Sequence, residues 1–430
     1  MDTATPTAPS AAPPAPRGVI RRLQSRQGRE DPFPLYEEIR RAGPVVSLGP
    51  HALLVTGFAD CLQILTDRIW QVPDHTWRAA RGLDTDGPSR NVLLTLPRLN
   101  PPAHGQARRL QSGPFTTAAL ERLRPTVRRL VRTHLDRLDA ELTEYGRADF
   151  IDMVARALPV AVMCEILGLP TEDRALIARY SLETAALTEP FATPAQTAVA
   201  DAAAAEFHAY VMTLLNARAL SPGTDLMSQW LTHERSRTGP VPPDELAAHI
   251  VFLVGAGAET TSSLFATAVQ AFEKHPDQAR WLATHPEALP QAVEELTRWD
   301  PSVQNAVRVP TQDTTLAGTA VPAGTLVHAL VAAANRDPAQ FRDPHTLDFQ
   351  RPPQRNLAFG AGFHYCLGAP LARLNAAEFL PELLRRFPAL RTAGPATRTP
   401  GLNLRTFLTL PITRSRPVLA AAIAQTGGAT

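Results

Sequence analysis

The sequence predicts a mainly α protein with a small β-sheet component, folded as a single domain. Three observations carry this: seven segments repeat their apolar residues at helical spacing, strand-like runs are few and short, and no linker divides the chain. With 430 residues, 44% of them hydrophobic, the chain can bury a large core.

The helical segments are 34–42, 125–142, 151–167, 201–220, 243–274, 286–298 and 367–387, several opening on Pro or an acidic residue as helix starts do. The strand-like runs are 45–48, 52–56, 307–309, 325–329 and 406–410. Residues 1–16 are almost all Ala, Pro and Thr, which predicts a disordered tail ahead of one domain over 17–430. The tail has no basic segment followed by an apolar core, so it does not read as a signal peptide. The best continuous apolar run, 250–258, is far too short to span a bilayer, so a soluble, cytoplasmic protein is expected.

Cys61, Cys164 and Cys366 are too widely spaced for a disulfide framework, which fits a reducing compartment. Cys61 and Cys164 lie in apolar segments and read as small buried hydrophobes. A net charge of +2 gives no nucleic-acid signal, although Lys274 is the only lysine beside many arginines. Residues 73–97 have little regular pattern and mix His75, Trp77, Arg78 and Arg81 with Asp and Gly. Such a stretch is either a binding loop or a plain surface loop.

The strongest chemical signal is Phe359-Gly360-Ala361-Gly362-Phe363-His364-Tyr365-Cys366-Leu367-Gly368. Its glycines permit tight turns and close approach to a flat cofactor. A helix is expected just after Cys366, and a helix N-terminus favours a thiolate. The second signal is Gly255-Ala256-Gly257-Ala258-Glu259-Thr260 within a long apolar helix. A buried acid there is costly unless it works or is paired. Two glycines let a neighbour lie against the helix, and the Thr260 hydroxyl can bond back to the carbonyl four residues earlier and loosen the helix. A packing glycine pair beside a capped acid is the plainer alternative. Glu295 and Arg298 share one helix face, where they can pair. His104 and Arg108, four apart, do likewise.

The Phe359–Gly368 run resembles the haem-binding signature of the cytochrome P-450 family: Phe359, both glycines, His364, Cys366 and Gly368 stand at its positions, and the likeness continues through Ala369 to Arg373. The resemblance implies a triangular fold around a buried haem b, with Cys366 as the thiolate ligand of the iron. It implies Glu259 and Thr260 as the acid–alcohol pair, with Ala256 and Gly257 beside the haem. It implies His104, Arg108, Arg308 and His364 at the propionates, and Glu295, Arg298 and Arg351 as a buried support. Asn100 stands where relatives carry an Asp and is expected to alter only a helix cap; Asn375 replaces a Glu, and Asn356 a His that makes a minor contact near the haem edge. Further likeness at Asp31–Tyr36, Gly113–Thr116, Ala334–Pro338 and Leu408–Pro411 extends it over nearly the whole chain.

The implied reaction inserts one atom of dioxygen into a small organic substrate by hydroxylation, epoxidation or oxidative coupling. The family flavour is that of soluble enzymes tailoring bacterial secondary metabolites, antibiotics among them. The chain has no flavin, nicotinamide or iron–sulfur motif, so electrons are expected from a ferredoxin and its reductase, docked on an arginine-rich face near Arg108, Arg109, Arg122, Arg128 and Arg373. A monomer is expected, with no nucleic-acid or membrane partner. Two rival readings stay open: a peroxide-driven peroxygenase of the same fold, against which Glu259-Thr260 argues, and a non-enzymatic haem sensor, against which the lack of an output domain argues. The substrate pocket is expected from 73–97, 184–203, the Ala256 region, 304–306 and 403–407.

Overall fold

A long helix, Pro243–Lys274, organises the molecule. Asp244 and Glu245 in its first turn and Lys274 in its last complement the helix dipole, and Pro243 suits the first position, where no N–H is needed. At 32 residues it runs ~48 Å, through the core. Helices Ala157–Leu167, Arg174–Thr184, Pro194–Leu220 and Ala369–Arg386 pack around it, and Ile250, Val254, Phe265 and Ala268 are sealed among them. The structure is a computed structural model describing residues 11–83, 94–190, 192–232, 234–235 and 239–414.

By length and composition this helix is apolar enough to cross a membrane, but 67% of its most apolar window is buried inside the protein. That corrects the expectation that no segment would reach such a length. The continuous run ends at Glu259, but the small residues beyond it keep the helix apolar. All-round burial in a core demands the same composition as a span.

The main sheet has five strands, ordered Val45–Gly49, Ala52–Val55, Leu326–Ala329, Ala306–Pro310 and Trp70–Gln71. Leu326–Ala329 runs parallel to Ala52–Val55 and antiparallel to Ala306–Pro310, with Val327 opposite both Leu53 and Arg308. This register puts Val55, Val327 and Ala329 in a second core cluster with Phe58, Ile64 and Phe341.

Several expected bounds move. The helix expected from Pro125 begins at Thr117, with Pro125 inside Thr117–Tyr145. The Thr116 hydroxyl caps it and Leu120 already joins the buried face, so packing outweighs the hydrogen bond lost at the proline. Pro194–Leu220 likewise starts before its expected 201, on a capping box between Thr193 and Gln196. The segment expected as one helix over 151–167 splits into a π-helical turn, Ile151–Ala155, and helix Ala157–Leu167. The expected tail is shorter than 1–16 along its described part: Ala15 N donates to Ser47 O and Ser47 N to Pro13 O, both at 2.7 Å, so this stretch pairs with the sheet edge. Residues 1–10 of that expectation lie outside the described residues.

Candidate functional site

The site grows from the loop ahead of helix Ala369–Arg386. Leu357 N donates to Asn335 Oδ1 at 2.7 Å, anchoring the loop's start. Gly360 and Gly362 take φ of +70° and +68°, and a Cβ on Gly362 would lie 2.3 Å from the Leu65 carbonyl oxygen. Only glycine allows that approach. The chain then folds back, and Cys366 N donates to Phe359 O at 2.9 Å. Arg373 braces the loop from below: it pairs with Glu294 at 2.6 Å, reaches the Tyr365 hydroxyl at 3.2 Å and lies over the Phe359 ring.

Cys366 faces a cavity of about 460 Å³ between this loop and the central helix. Burial pushes its thiol up, while backbone N–H groups of Gly368 and Ala369 and the charges of Arg108 and Arg373 pull it down. Burial is the larger influence, so the thiol lies above its ordinary value.

Across the cavity, Thr260 Oγ1 donates to Ala256 O at 2.7 Å, the back-bond expected from sequence, yet the helix runs on unbroken. Glu259 also lines the cavity; it is 1% exposed, accepts from Ser181 Oγ at 3.3 Å and pairs with Arg156 Nε at 3.4 Å. Its Oε2 has no hydrogen-bond partner among the described residues. Burial raises the Glu259 carboxyl above its ordinary value, with Arg156 and Ser181 pulling the other way. The acid and alcohol are thus adjacent in sequence, but no hydrogen bond joins them. Gly255 and Ala256 line the cavity; Gly257 lines it with its backbone, but a Cβ there would lie 2.6 Å from Met163 Sδ, so its side serves helix packing.

A basic group occupies one wall. His104 and His364 meet edge to face with ring centroids 4.4 Å apart, and the Nε2 of each is buried without a hydrogen-bond partner among the described residues. Burial, then Arg108 and Arg308, holds His104 down at about 4, and burial also lowers His364. Arg108 donates to the carbonyls of Tyr365 at 2.8 Å and Phe363 at 3.4 Å. Arg308 donates to its neighbour Val307 O, and burial holds it down to about 10, with Arg98 adding to the shift. These two imidazole nitrogens beside the buried Arg308 and the half-buried Arg108 fit a dianionic ligand. A cysteine sulfur facing the same cavity fits an iron. The residues present therefore fit haem b.

Sequence reasoning missed Arg98, which lines the cavity, and Arg156 and Ser181, which hold Glu259. A lone arginine in the apolar run 153–162 was the available signal for Arg156, because such a charge must be paired. Glu295 holds Arg298 at 2.7 Å and Arg351 at 3.2 Å, all buried, as expected. Arg298 also donates to the carbonyls of Asn335 and Pro344, beside the anchor of the Cys366 loop. Asn356 ties that loop to Glu294.

Some expectations fail. Asn100 does not cap the following helix; its Oδ1 accepts from Val72 N and its Nδ2 donates to Val72 O and Asp74 Oδ2, each at 3.0 Å. Only an amide supplies both roles, since a carboxylate donates nothing. Of 304–306, Asn305 and Ala306 line the cavity, but Gln304 is buried against Tyr36. Of 403–407, Asn403 and Leu404 line it and Phe407 joins the core. Pro73, Thr95, Leu96 and Pro97 line it from the 73–97 segment, and Thr184, Ala185, Leu187 and Thr188 from 184–203; residues 84–93 and 191 lie outside the described residues. The arginine-rich face is largely spent. Arg128 pairs with Glu378, Arg373 with Glu294, and Arg108 turns to the loop carbonyls.

A sequence model of the family described as Cytochrome P450 matches residues 284–406. The chain is 36% identical over 392 residues to the mycinamicin IV hydroxylase/epoxidase of Micromonospora griseorubida, covering 88% of this chain and 94% of that one. It is 32% identical over 381 residues to the 6-deoxyerythronolide B hydroxylase of Saccharopolyspora erythraea, covering 86% and 91%. The crystal structure of ligand-free CYP164A2 from Mycobacterium smegmatis superposes with a TM-score of 0.83 at 34% identity, covering 93% of this chain and all of that one. The chain belongs to the cytochrome P-450 family and is a haem b monooxygenase with that family's fold.

Proposed function

We propose that this enzyme oxygenates a secondary-metabolite intermediate, with Cys366 as the residue that would hold the iron of haem b and Thr260 and Glu259 managing protons. The observation that carries the assignment is the placement of Cys366 and Thr260 on one cavity, with His104, Arg108, Arg308 and His364 along its wall. The relatives named as macrolide-type hydroxylases and an epoxidase support the substrate class.

When bound, haem b supplies the activation of dioxygen and its insertion into the substrate. The chain's own residues hold that group and feed it protons. His104, Arg108, Arg308 and His364 hold the propionates, and Phe359, Gly368, Ala256 and Gly257 bound the ring. Thr260, fixed by its bond to the Ala256 carbonyl, offers its oxygen to a water in an otherwise apolar stretch. Glu259, whose carboxyl burial raises above its ordinary value, passes a proton on turning from Arg156 toward Thr260. Arg156 then draws the carboxylate back. Asp152, paired with Arg156 at 3.3 Å and with its side chain 72% exposed, sits at the solvent end of this series. The acid–alcohol pair favours a dioxygen-driven monooxygenase over a peroxygenase, because peroxide already carries its protons.

Electrons come from a ferredoxin and its reductase. Arg109 and Arg122 are exposed without an ion pair among the described residues, and they supply the positive charge an acidic ferredoxin meets. The enzyme works in the cytoplasm, where these donors reside. Screening candidate macrolides and related metabolites for a low-to-high-spin Soret shift, followed by product analysis, tests the substrate class. Tight shifts confined to unrelated compounds, such as simple terpenes, would overturn it.

A further inference from the structure

Arg98 follows the 73–97 segment and lines the cavity near Arg308. Among the described residues its side chain makes no hydrogen bond or ion pair, while its backbone N–H donates to Thr95 O at 2.9 Å. The charges that act on it and through it are other guanidiniums: Arg78 shifts Arg98, and Arg98 shifts Arg308. Burial, then Arg78, lowers Arg98, though part of the residue stays accessible from the cavity side. An arginine does not escape such a setting by losing its proton. It needs an anion.

The cavity's charges leave room for one. Arg98, Arg108 and Arg308 all line it, and the acid among its lining residues, Glu259, is already engaged by Arg156. Arg108 and Arg308 donate to backbone carbonyls, which partly satisfies them; the Arg98 side chain lacks even that. A guanidinium fork matches a planar carboxylate with two parallel hydrogen bonds.

We propose that Arg98 is a carboxylate-binding residue of this cavity. The proposal rests on the haem monooxygenase reading, under which two carboxylate sources reach the cavity: a haem propionate and an acid group on the substrate. The chemistry is the same for both, and the two sources are separable by experiment.

The test uses the haem-loaded enzyme as wild type, Arg98→Gln and Arg98→Lys. One arm measures haem transfer to excess apomyoglobin. The other titrates dodecanoate and methyl dodecanoate, read by the Soret shift. Loss of a charge-assisted bond changes one arm by about tenfold or more, with Lys retaining part of the effect. Faster haem loss in Arg98→Gln assigns the propionate. Unchanged haem loss, with the wild-type preference for the acid over its ester abolished, assigns the substrate carboxylate. Should wild type bind neither probe, haem transfer alone decides. An Arg98→Gln protein that matches wild type in every arm the wild type permits overturns the proposal, and so does one that fails to fold by circular dichroism, since the role is then structural. The reduced carbon monoxide spectrum of wild type separates the two levels: a haem-thiolate band leaves the family reading intact whichever way Arg98 falls.

Discussion

Arg156 stands with its Nε 3.4 Å from Glu259 Oε1, joining the acid of the central helix to the start of helix Ala157–Leu167. Arg156 also donates to the Phe407 carbonyl and pairs with Asp152. A buried acid that lines the cavity is thus held on a cation. Breaking a buried pair from one side costs about 3–5 kcal/mol, less where the remaining group can take a proton. Arg156→Leu should therefore lower the unfolding free energy by about 2–4 kcal/mol in denaturant titrations. A loss under about 0.5 kcal/mol would mean that the pair is not made in solution.

The same acid sets a pH dependence. Burial raises Glu259 above its ordinary carboxyl value, so between the two values the folded protein binds more protons than the unfolded chain. The acid's contribution is full below the ordinary carboxylate range and is lost as pH rises toward the folded value. Wild-type stability relative to Glu259→Gln should fall across that window and then level off. Paired unfolding curves at several pH values check this, and a relative stability that climbs with pH contradicts it.

Thr260→Ala should retain substrate binding and electron uptake, since Thr260 contributes one local bond to Ala256. Product per NADPH should fall severalfold, with the missing electrons recovered as hydrogen peroxide. Glu259→Gln should slow oxygen consumption instead, because proton delivery becomes limiting. NADPH, product and peroxide measured together distinguish the two variants. Full coupling in Thr260→Ala removes the hydroxyl from the proton path.

Gly362→Ala should destabilise the Cys366 loop by about 2 kcal/mol or more. The new Cβ meets the Leu65 carbonyl at 2.3 Å on a backbone with φ of +68°. Haem occupancy after purification reads the effect, and wild-type occupancy would show that the loop reaches its geometry without the close approach.

Glu295→Ala strips the counter-charge from Arg298 and Arg351 together. The expected loss is about 3–5 kcal/mol, with little change in the affinity of substrate for whatever protein remains folded. Weakened substrate affinity at full stability would reverse the structural assignment.

The helical architecture was legible because its apolar periodicity is long. The Cys366 loop was legible because its glycines and cysteine are fixed by backbone approach and metal chemistry. The early helix starts at Thr117 and Pro194 were not, because tertiary packing and side-chain caps extend helices past a proline or into a polar stretch. Asn100 was misread because its work is a clasp on Val72, 28 residues away, rather than a local cap. Arg98 and Arg156 escaped notice for a common reason. Glu259, which Arg156 holds, and Arg308, beside Arg98, lie on segments distant in sequence, so no local spacing shows either relationship.

The central claim is that Cys366 ligates the iron, and the reduced carbon monoxide spectrum tests it most directly. Wild type should show the strongly red-shifted Soret band of a haem-thiolate protein. Cys366→His should move that band to the position of histidine-ligated haem and abolish oxygenation. A red-shifted band that persists unchanged in Cys366→His would contradict the account, because the ligand would then lie elsewhere.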